Sequence, residues 1–355
     1  MMRELSCTLY TGEFFDISCS PIVPRDPAHL PAIWSFCSSP EFHKAVRRID
    51  QKLNVTNATL VKVPFNLAHW QKVADEQYPD GLPAPHSDDP TQWLFHGHPA
   101  RSTAPLQVAV ACLLGYRWPQ NDDDDLAAHA DADGIVCLPP VAGETGAGER
   151  LRALLAHAYG PAWSPAVQEK LLAEAGSPGK DLDEWLRDGF FAQHCKLFGQ
   201  RPFVWHVWDG RKDGFAALVN YHTLDRARLD KLIYTYLGGW IKTQADAVRQ
   251  GVPGSDGRLV AVQNLQKKLI AVAEGEPPFD IYVRWKPEAK QPIGWDPDIN
   301  DGVRMNIRPF MAADVLRARP NINWNKDRGR NPDGSDRLND RHLTRAEKEA
   351  ARRAA

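Results

Sequence analysis

The segment that most restricts the fold lies between residues 201 and 222, where two apolar stretches flank a short polar turn. Its sequence is RPFVWHVWDGRKDGFAALVNYH, with Gly210 and Gly214 in the turn. Two such stretches joined by a glycine-containing turn predict an antiparallel β-hairpin. Both are almost continuously hydrophobic rather than alternating, which indicates that neighbouring elements cover both faces of the hairpin.

Helices are expected to provide that cover. After the hairpin, Thr223 is a candidate N-cap for a helix whose apolar stripe comprises Leu229, Leu232, Ile233, Tyr236 and Trp240. A second helix over 259–273 would return antiparallel to it. The segments 149–175 and 181–198 and the short apolar segment 104–118 also have helical patterns. The expected class is α+β, with mixed helical and β-hairpin elements.

The N-terminal part combines one helix with one extended segment. Ser39 is a candidate N-cap, followed by Pro40 in the first helical position. An apolar face would then comprise Phe42, Val46, Ile49 and Leu53. The following NVTNATLVKVPF is rich in β-branched residues and predicts a strand or strand pair over 54–65. The last twenty residues are charged and alanine-rich, which favours at most a surface helix.

Charge and cysteine content limit the classes of protein considered. The formal net charge is -2, yet the segment from 301 to 355 contains thirteen basic and only eight acidic residues. This local surplus permits contact with nucleic acid. The six cysteines form no C-x-x-C pair, which favours reduced thiols. Since no signal peptide or run of eighteen apolar residues is found, a cytoplasmic protein with no membrane contact is expected.

Several motifs have chemical interpretations that compete with structural ones. GETGAGER at 143–150 looks like a phosphate-binding loop but lacks its Lys-Ser/Thr, which favours a linker. Asp280, Glu288 and Lys290 loosely match the magnesium site of many nucleases. His96 and His98 lie in a loop without further spaced ligands. His194 and Cys195 are adjacent on a helix, so packing is the expected role.

The C-terminal region is rich in groups that bind nucleic acid. DINDGVRMNIRPFM at 298–311 and PNINWNKDRGR at 320–330 interleave Arg, Lys and Asn with single apolar residues. Arginine and asparagine read guanine and adenine edges, and Trp324 could stack on a base. The alternative is a loop held by Arg–Asp pairs, for which Asp298, Asp301 and Asp327 are available.

These blocks, with VTNATLVKVPF and WLRDGFFAQHCKLFGQRPFVWHVWDGRKDGFAALVNYHTLD, resemble the C-terminal third of large adenine-specific DNA methyltransferases. This family comprises single-chain type IIG restriction–modification enzymes and relatives in phage defence, such as PglX of the BREX systems and the DISARM methylases. The resemblance extends from about Thr11 to the end of the chain. It implies that this region contacts double-stranded DNA and selects the target.

Candidate DNA-binding residues follow from the resemblance. In or near the recognition face it suggests Asn54, Thr56, Asn57 and Lys62. In the DNA-facing C-terminal part it suggests Lys212, Arg304, Asn306, Arg308 and Lys326. Trp324 and Arg328 are further candidates from their residue types alone.

The catalytic signature of these methyltransferases is missing from the sequence. They carry an acidic or amide residue followed by Pro-Pro and an aromatic, which binds the flipped adenine. Here the nearest matches are LPPV at 138–141 and NPDG at 331–334, and neither fits. We therefore expect no catalytic residue, no metal, no cofactor in this chain and no complete methyltransferase Rossmann domain. S-adenosylmethionine is expected on a catalytic partner chain.

The resulting hypothesis is that this chain is the DNA-binding specificity part of an adenine-specific methyltransferase. Two alternatives stay open. One is a protein-interaction scaffold of a defence complex, docking through the apolar hairpin and the helix of Trp240, with the acidic loop 122–125 imitating nucleic acid. The other is a magnesium-dependent nuclease.

The expected divisions of the chain are a recognition-like end (1–75), an acidic connector (76–150), a helical segment (151–200), the hairpin with the helical pair and basic region (201–330), and a charged tail (331–355).

Overall fold

The structure, a computed structural model, describes residues 5, 7–9, 20–51, 55–79, 81–82, 98–117, 125–276, 279–281, 286–322 and 343–355. Contacts divide the chain into two compact units, Met1–Asp88 and Asp89–Ala355. Helices predominate, and a small antiparallel sheet lies in the second unit. The expected mixture of helices and β-hairpin, an α+β class, is confirmed.

The first unit is helical in its described part. Its α-helices are α1 (Leu30–Cys37), α2 (Pro40–Ile49), α3 (Asn57–Leu60) and α4 (Leu67–Gln77). The predicted N-cap of α2 is confirmed, because the Ser39 hydroxyl accepts the Phe42 N–H at 3.3 Å. Phe42 and Val46 are buried, whereas Ile49 is 42% exposed and does not belong to the buried face.

The strand predicted over 54–65 is wrong, since this segment forms α3 and a turn. Thr56 occupies the N-cap position, and the Thr59 hydroxyl donates to the Asp50 carboxylate at 3.0 Å. A preference for strand depends on a neighbouring strand against which β-branched side chains pack. None of the described residues of this unit forms such a strand, so local hydrogen bonds determine the conformation.

A three-stranded sheet lies at the centre of the second unit. The predicted hairpin is confirmed as β2 (Val204–Trp208) and β3 (Ala216–Asn220), which pair antiparallel with Trp205 opposite Val219. A strand that the sequence did not indicate, β1 (Ile135–Cys137), pairs antiparallel with the other side of β3. At the outer edge of β2, Val207 forms an isolated antiparallel β-bridge with Leu316.

Helices surround this sheet, as the buried hairpin requires. They are α5 (Pro105–Leu113), α6 (Ala147–Tyr159), α7 (Pro165–Glu174), α8 (Leu182–Trp185), α9 (Phe191–Leu197), α10 (Arg226–Lys231), α11 (Leu237–Arg249), α12 (Ser255–Glu274), α13 (Gly302–Asn306), α14 (Arg308–Ala312) and α15 (Arg345–Ala354). The expected return helix corresponds to α12, which packs against α11. The single segment expected over 149–175 is two helices, because Gly160, at φ +51°, ends α6 before Pro161.

The N-cap predicted after the hairpin is also displaced. The Asp225 carboxylate, rather than Thr223, caps α10 by accepting the Arg228 N–H at 2.8 Å. The Thr223 N–H instead donates to the Asn220 side chain at 3.3 Å, within the turn that follows β3. Two residues with capping side chains lie close together here, and the carboxylate is the one placed at the helix start.

Aromatic residues join the C-terminal segments to the hairpin. Trp205 of β2 stacks on Tyr221 with ring centroids 5.0 Å apart and lies 5.0 Å from Phe310. Trp295 meets Phe310 edge-on at 5.2 Å. Because all four rings are buried, burial of this cluster fixes the loops around α13 and α14 on the sheet.

Two single π-turns interrupt the helices, at Leu186–Phe190 and Leu232–Tyr236. The second turn presents the Tyr236 hydroxyl to two carboxylates, donating to Glu144 at 3.0 Å and to Asp133 at 3.3 Å. Burial, and then the neighbouring Glu144, raise the pKa of Tyr236, so its proton stays in place. This network fastens the loops on both sides of β1.

Arg317 fastens the segment at the outer edge of β2. Its guanidinium donates to Asp188 of the first π-turn at 3.0 Å and lies over the Trp208 ring, 4.2 Å from the centroid. The Arg187 guanidinium, and then Arg317, lower the pKa of Asp188 to about 2. The segment 315–317 therefore stays bound to the sheet through a charged cluster as well as through backbone hydrogen bonds.

His194 of α9 connects three elements from inside the core. Its Nδ1 lies 3.1 Å from the Gln107 side-chain oxygen on α5, and its Nε2 accepts the Val204 N–H of β2 at 3.1 Å. The neutral ring with its proton on Nδ1 satisfies both contacts. Burial lowers the pKa of His194 to about 3, so packing, the expected role, is confirmed.

The last helix is not simply a surface helix, because Lys348 of α15 is completely buried. Its Nζ lies 2.9 Å from the Asp280 carboxylate and donates to the carbonyl oxygens of Ile281 and Pro292. Desolvation raises the pKa of Asp280 and lowers that of Lys348, while their attraction opposes both shifts.

Among the described helices, none combines the length and the apolar character needed to cross a lipid bilayer.

Candidate nucleic-acid interface

The site begins at the turn between β2 and β3. The Asp209 carboxylate shapes this turn by accepting the Arg211 N–H at 2.9 Å and the Phe215 N–H at 2.7 Å. Gly210 has φ +90°, and a Cβ at Gly214 would collide with the Asp209 carboxylate. The turn therefore needs both glycines and holds Lys212 exposed at its tip.

A groove of about 510 Å³ lies between this turn and α12. The turn contributes Asp209 and Arg211. The residues that α12 contributes are Gly257, Val260, Ala261, Asn264, Lys267 and Lys268. Arginine and lysine therefore outnumber acidic residues three to one in the lining, and the one acidic residue already accepts two backbone N–H groups.

The chemistry of the groove suits an anion more than an apolar ligand. Among the described residues, Lys267 forms no hydrogen bond or ion pair, and the Lys268 Nζ donates only to the Asp314 carbonyl oxygen, at 3.3 Å. Asn264 adds a neutral donor and acceptor. Lysine, arginine and asparagine side chains supply the donors that contact phosphate and sugar along a nucleic-acid strand.

Arg211 lies where the turn approaches α12. Its Nε and Nη2 donate to the two oxygens of Asp213 at 2.9 and 3.1 Å. A Cβ at Gly257 would lie only 3.1 Å from Arg211 Nη1, so the glycine leaves room for the guanidinium on the first turn of α12. Arg258 reaches the same Asp213 carboxylate at 3.4 Å.

The candidate DNA-binding residues occupy different environments. Lys212 lies beside the groove and is exposed. Thr56, Asn57 and Lys62 are exposed in the first unit, on α3 and the following turn. Asn54, Trp324, Lys326 and Arg328 lie outside the described residues.

Asn306 is a correction to the expected site. It is completely buried, and its amide donates to the Tyr221 hydroxyl at 2.7 Å and to the Asp298 carbonyl at 2.9 Å. Its amide group therefore stabilises the loop that precedes α13 and is not presented to a base. Arg304 and Arg308 are half-buried and make contacts within the protein.

The glycine-rich loop and Asp280 of the nuclease-like set make contacts within the protein. The Asp183 carboxylate accepts the Gly148 N–H at the start of α6, where a bound phosphate would have to lie. Asp280 pairs with Lys348, and Glu288 and Lys290 lie in a 3₁₀ turn. In the described part of the chain, no three His, Cys, Asp or Glu side chains are grouped to bind a metal ion.

Other candidates also take part in local structure. His98 accepts the Ala100 N–H at 3.3 Å, while His96 lies outside the described residues. In the LPPV segment, the Leu138 N–H extends the pairing of β1 to Ala216 at 2.8 Å, and Val141 is buried. Neither side chain can accept a hydrogen bond from an adenine amine or stack on its ring.

The docking surfaces of the scaffold hypothesis are only partly exposed. The strands of the hairpin are buried almost completely, so they offer no apolar surface to a partner. Trp240 on α11 is half-buried. Of the acidic loop, only Asp125 lies among the described residues, and it is 3.7 Å from His98.

The sequence interpretation missed Asn264, Lys267 and Lys268. A signal for them exists, because α12 buries Leu265 and Leu269 and therefore turns these polar residues away from the core. What the helical period does not show is that the hairpin turn lies opposite. No protein-family model matches this chain, and no curated protein is significantly similar to it in sequence.

Proposed function

We propose that this chain is the DNA-binding, target-selecting part of an adenine-specific DNA methyltransferase of a restriction–modification or phage-defence system. A separate catalytic chain would bind S-adenosylmethionine and transfer the methyl group. The observation that carries the proposal is the basic groove between the hairpin turn and α12. The hairpin block that resembles the methyltransferase family supplies one wall of that groove.

The groove would hold the phosphate backbone of a duplex. Arg211, Lys267 and Lys268 line it, and Lys212 extends the positive surface at the turn. Each phosphate that a cation neutralises releases condensed counterions, so binding weakens as salt increases. Target selection would require base contacts in addition, for which the exposed Thr56, Asn57 and Lys62 remain the candidates implied by the resemblance.

The proposal predicts salt-dependent binding of duplex DNA by the isolated chain. Three phosphate contacts give a slope of about -2.7 in log affinity against log salt, or roughly a fortyfold loss between 50 and 200 mM salt. Fluorescence anisotropy with a labelled duplex measures both quantities. No detectable duplex binding at 50 mM salt, with or without a catalytic chain, would refute the proposal.

Charge reversal tests whether the groove is the binding surface. The double variant Lys267→Glu, Lys268→Glu is expected to weaken binding by about tenfold to a hundredfold and to make the slope shallower by about 2. Lys170→Glu with Lys180→Glu changes the net charge equally at exposed positions outside the groove and is the matched control. Equal losses in both double variants would indicate a general charge effect rather than a site.

Target selection requires its own measurement. Repeated selection from a pool of duplexes with a randomised segment should enrich one short sequence. Thr56→Ala with Asn57→Ala should reduce that enrichment while leaving the salt slope unchanged, because neutral side chains release no counterions. Binding without any enrichment would contradict the target-selecting role while leaving backbone binding intact.

A further inference from the structure

At the turn between β2 and β3, two guanidinium groups share a single carboxylate. Arg211 binds Asp213 through two hydrogen bonds, at 2.9 and 3.1 Å, and Arg258 lies 3.4 Å from the same side chain. The Arg258 Nε is itself held by Gln244, which accepts at 2.7 Å and is buried. The two arginines therefore form one anion-binding site, in which the hydrogen bond to Gln244 fixes the position of Arg258.

Asp213 is well suited to leave this site. Its side chain is 51% exposed, whereas that of Arg258 is only 17% exposed. Asp209, not Asp213, accepts the N–H groups that shape the turn. An exposed ion pair stabilises a protein by at most about 1 kcal/mol, so exchange of the carboxylate for another anion has a small cost.

We propose that Asp213 is an internal competitor for phosphate, and that a backbone phosphate of duplex DNA displaces it from Arg211 and Arg258 when the groove is filled. This rests on the proposed function and adds regulation of the same site. Arginine binds carboxylate and phosphate with the same paired geometry, which is why one can replace the other. Arg211 lines the groove, so release from Asp213 frees its donors for the ligand.

Neutralising the competitor should tighten binding. Asp213→Asn is expected to raise duplex affinity roughly fivefold to tenfold at 100 mM salt, because the phosphate no longer has to displace a carboxylate, and to leave the salt slope nearly unchanged, since the same phosphates are contacted in both proteins. Asp230→Asn is the matched control, because Asp230 is a similarly exposed aspartate paired with an arginine, Arg226, at 3.1 Å and does not line the groove. An equal gain in both variants would overturn the proposal.

A double-mutant cycle shows whether the gain depends on Arg211. In an Arg211→Gln background, Asp213→Asn should give a clearly smaller gain in affinity, because only the contact to Arg258 is then freed. A full gain in that background would overturn the proposal. If the wild type binds duplex and Asp213→Asn binds no tighter, the inference fails alone, whereas absence of duplex binding in both refutes the proposed function as well.

Free phosphate is the other source of the same chemistry. Inorganic phosphate at 10 mM should displace the duplex no better than chloride at equal ionic strength, because one free phosphate lacks the neighbouring contacts to Lys267 and Lys268. Selective displacement by inorganic phosphate would assign the two arginines to a small anion and overturn the exchange with DNA. Thermal unfolding of all variants should agree within a few degrees, which excludes loss of folding as the cause.

Discussion

Lys348→Ala is expected to lower the free energy of unfolding by about 3–5 kcal/mol, the usual cost of leaving one buried charge without its partner. Lys348 is completely buried, and its ammonium lies 2.9 Å from the equally enclosed Asp280 carboxylate. The lost ammonium also leaves the carbonyl oxygens of Ile281 and Pro292 without this donor. Urea denaturation followed by tryptophan fluorescence measures the change.

Two variants separate this effect from a simple loss of contacts. Asp280→Leu combined with Lys348→Met replaces the pair by apolar side chains and should recover most of the stability. Lys170→Ala removes an exposed lysine paired with Glu174 at 3.8 Å and should change stability by less than about 1 kcal/mol. A cost below 1 kcal/mol for Lys348→Ala would contradict the buried pair. Increased hydrogen exchange confined to α15 would show that the helix detaches before the sheet unfolds.

Lowering the pH from 7.5 to 5 is expected to destabilise the protein by roughly 4 kcal/mol through two buried histidines, about 2 kcal/mol from each. Burial lowers the pKa of His194 and of His206 to about 3, from 6.5 in the unfolded chain. Below pH 6.5 these two histidines therefore bind protons in the unfolded chain but stay unprotonated in the folded chain. Stability falls as pH falls, and the loss continues until the folded pKa is reached.

Aspartates modify this profile without reversing its sign. The raised pKa values of Asp183 and Asp209, both caused first by burial, relieve some destabilisation as they protonate in acid. Asp188, with a pKa of about 2, adds a further loss of stability only below its unfolded pKa of 3.8. Urea denaturation at several pH values between 5 and 7.5 gives the slope.

The two histidines differ in a way that allows a clean test. Neither ring nitrogen of His206 has a hydrogen-bond partner among the described residues, whereas His194 makes two such contacts. His206→Leu should therefore cost little at pH 7.5 and remove about 2 kcal/mol of the loss at pH 5. His194→Leu should destabilise the protein at both pH values. An unchanged pH profile for His206→Leu would contradict the assignment.

Local patterns predicted the parts of the fold that depend on local interactions. The hairpin and α2 could be found because turn glycines, capping side chains and apolar stretches lie within a few residues of one another. β1 was missed because three residues contain no period, and their pairing partner lies more than seventy positions away in β3. The false strand over 54–65 has the converse cause, since strand propensity without a partner strand does not decide the conformation.

The site was predictable to a smaller extent. Lys212 was identified from the resemblance, but the opposite wall of the groove comes from α12, about fifty positions further along the chain. Asn306 has the donors of a base-reading residue, yet it donates to Tyr221 and to the backbone of Asp298. Residue type gives the available hydrogen bonds, whereas the burial that decides their partners depends on packing. The same holds for Lys348, one lysine in a charged tail.

The bridge between Val207 and Leu316 has a consequence for how the protein is made. During synthesis, β2 and β3 leave the ribosome well before segment 315–317. Until that segment has been made, the outer edge of β2 lacks this backbone pairing. An unpaired, hydrophobic strand edge is a site of aggregation. Nascent chains stalled before this segment should therefore recruit chaperones, and those that include it should release them.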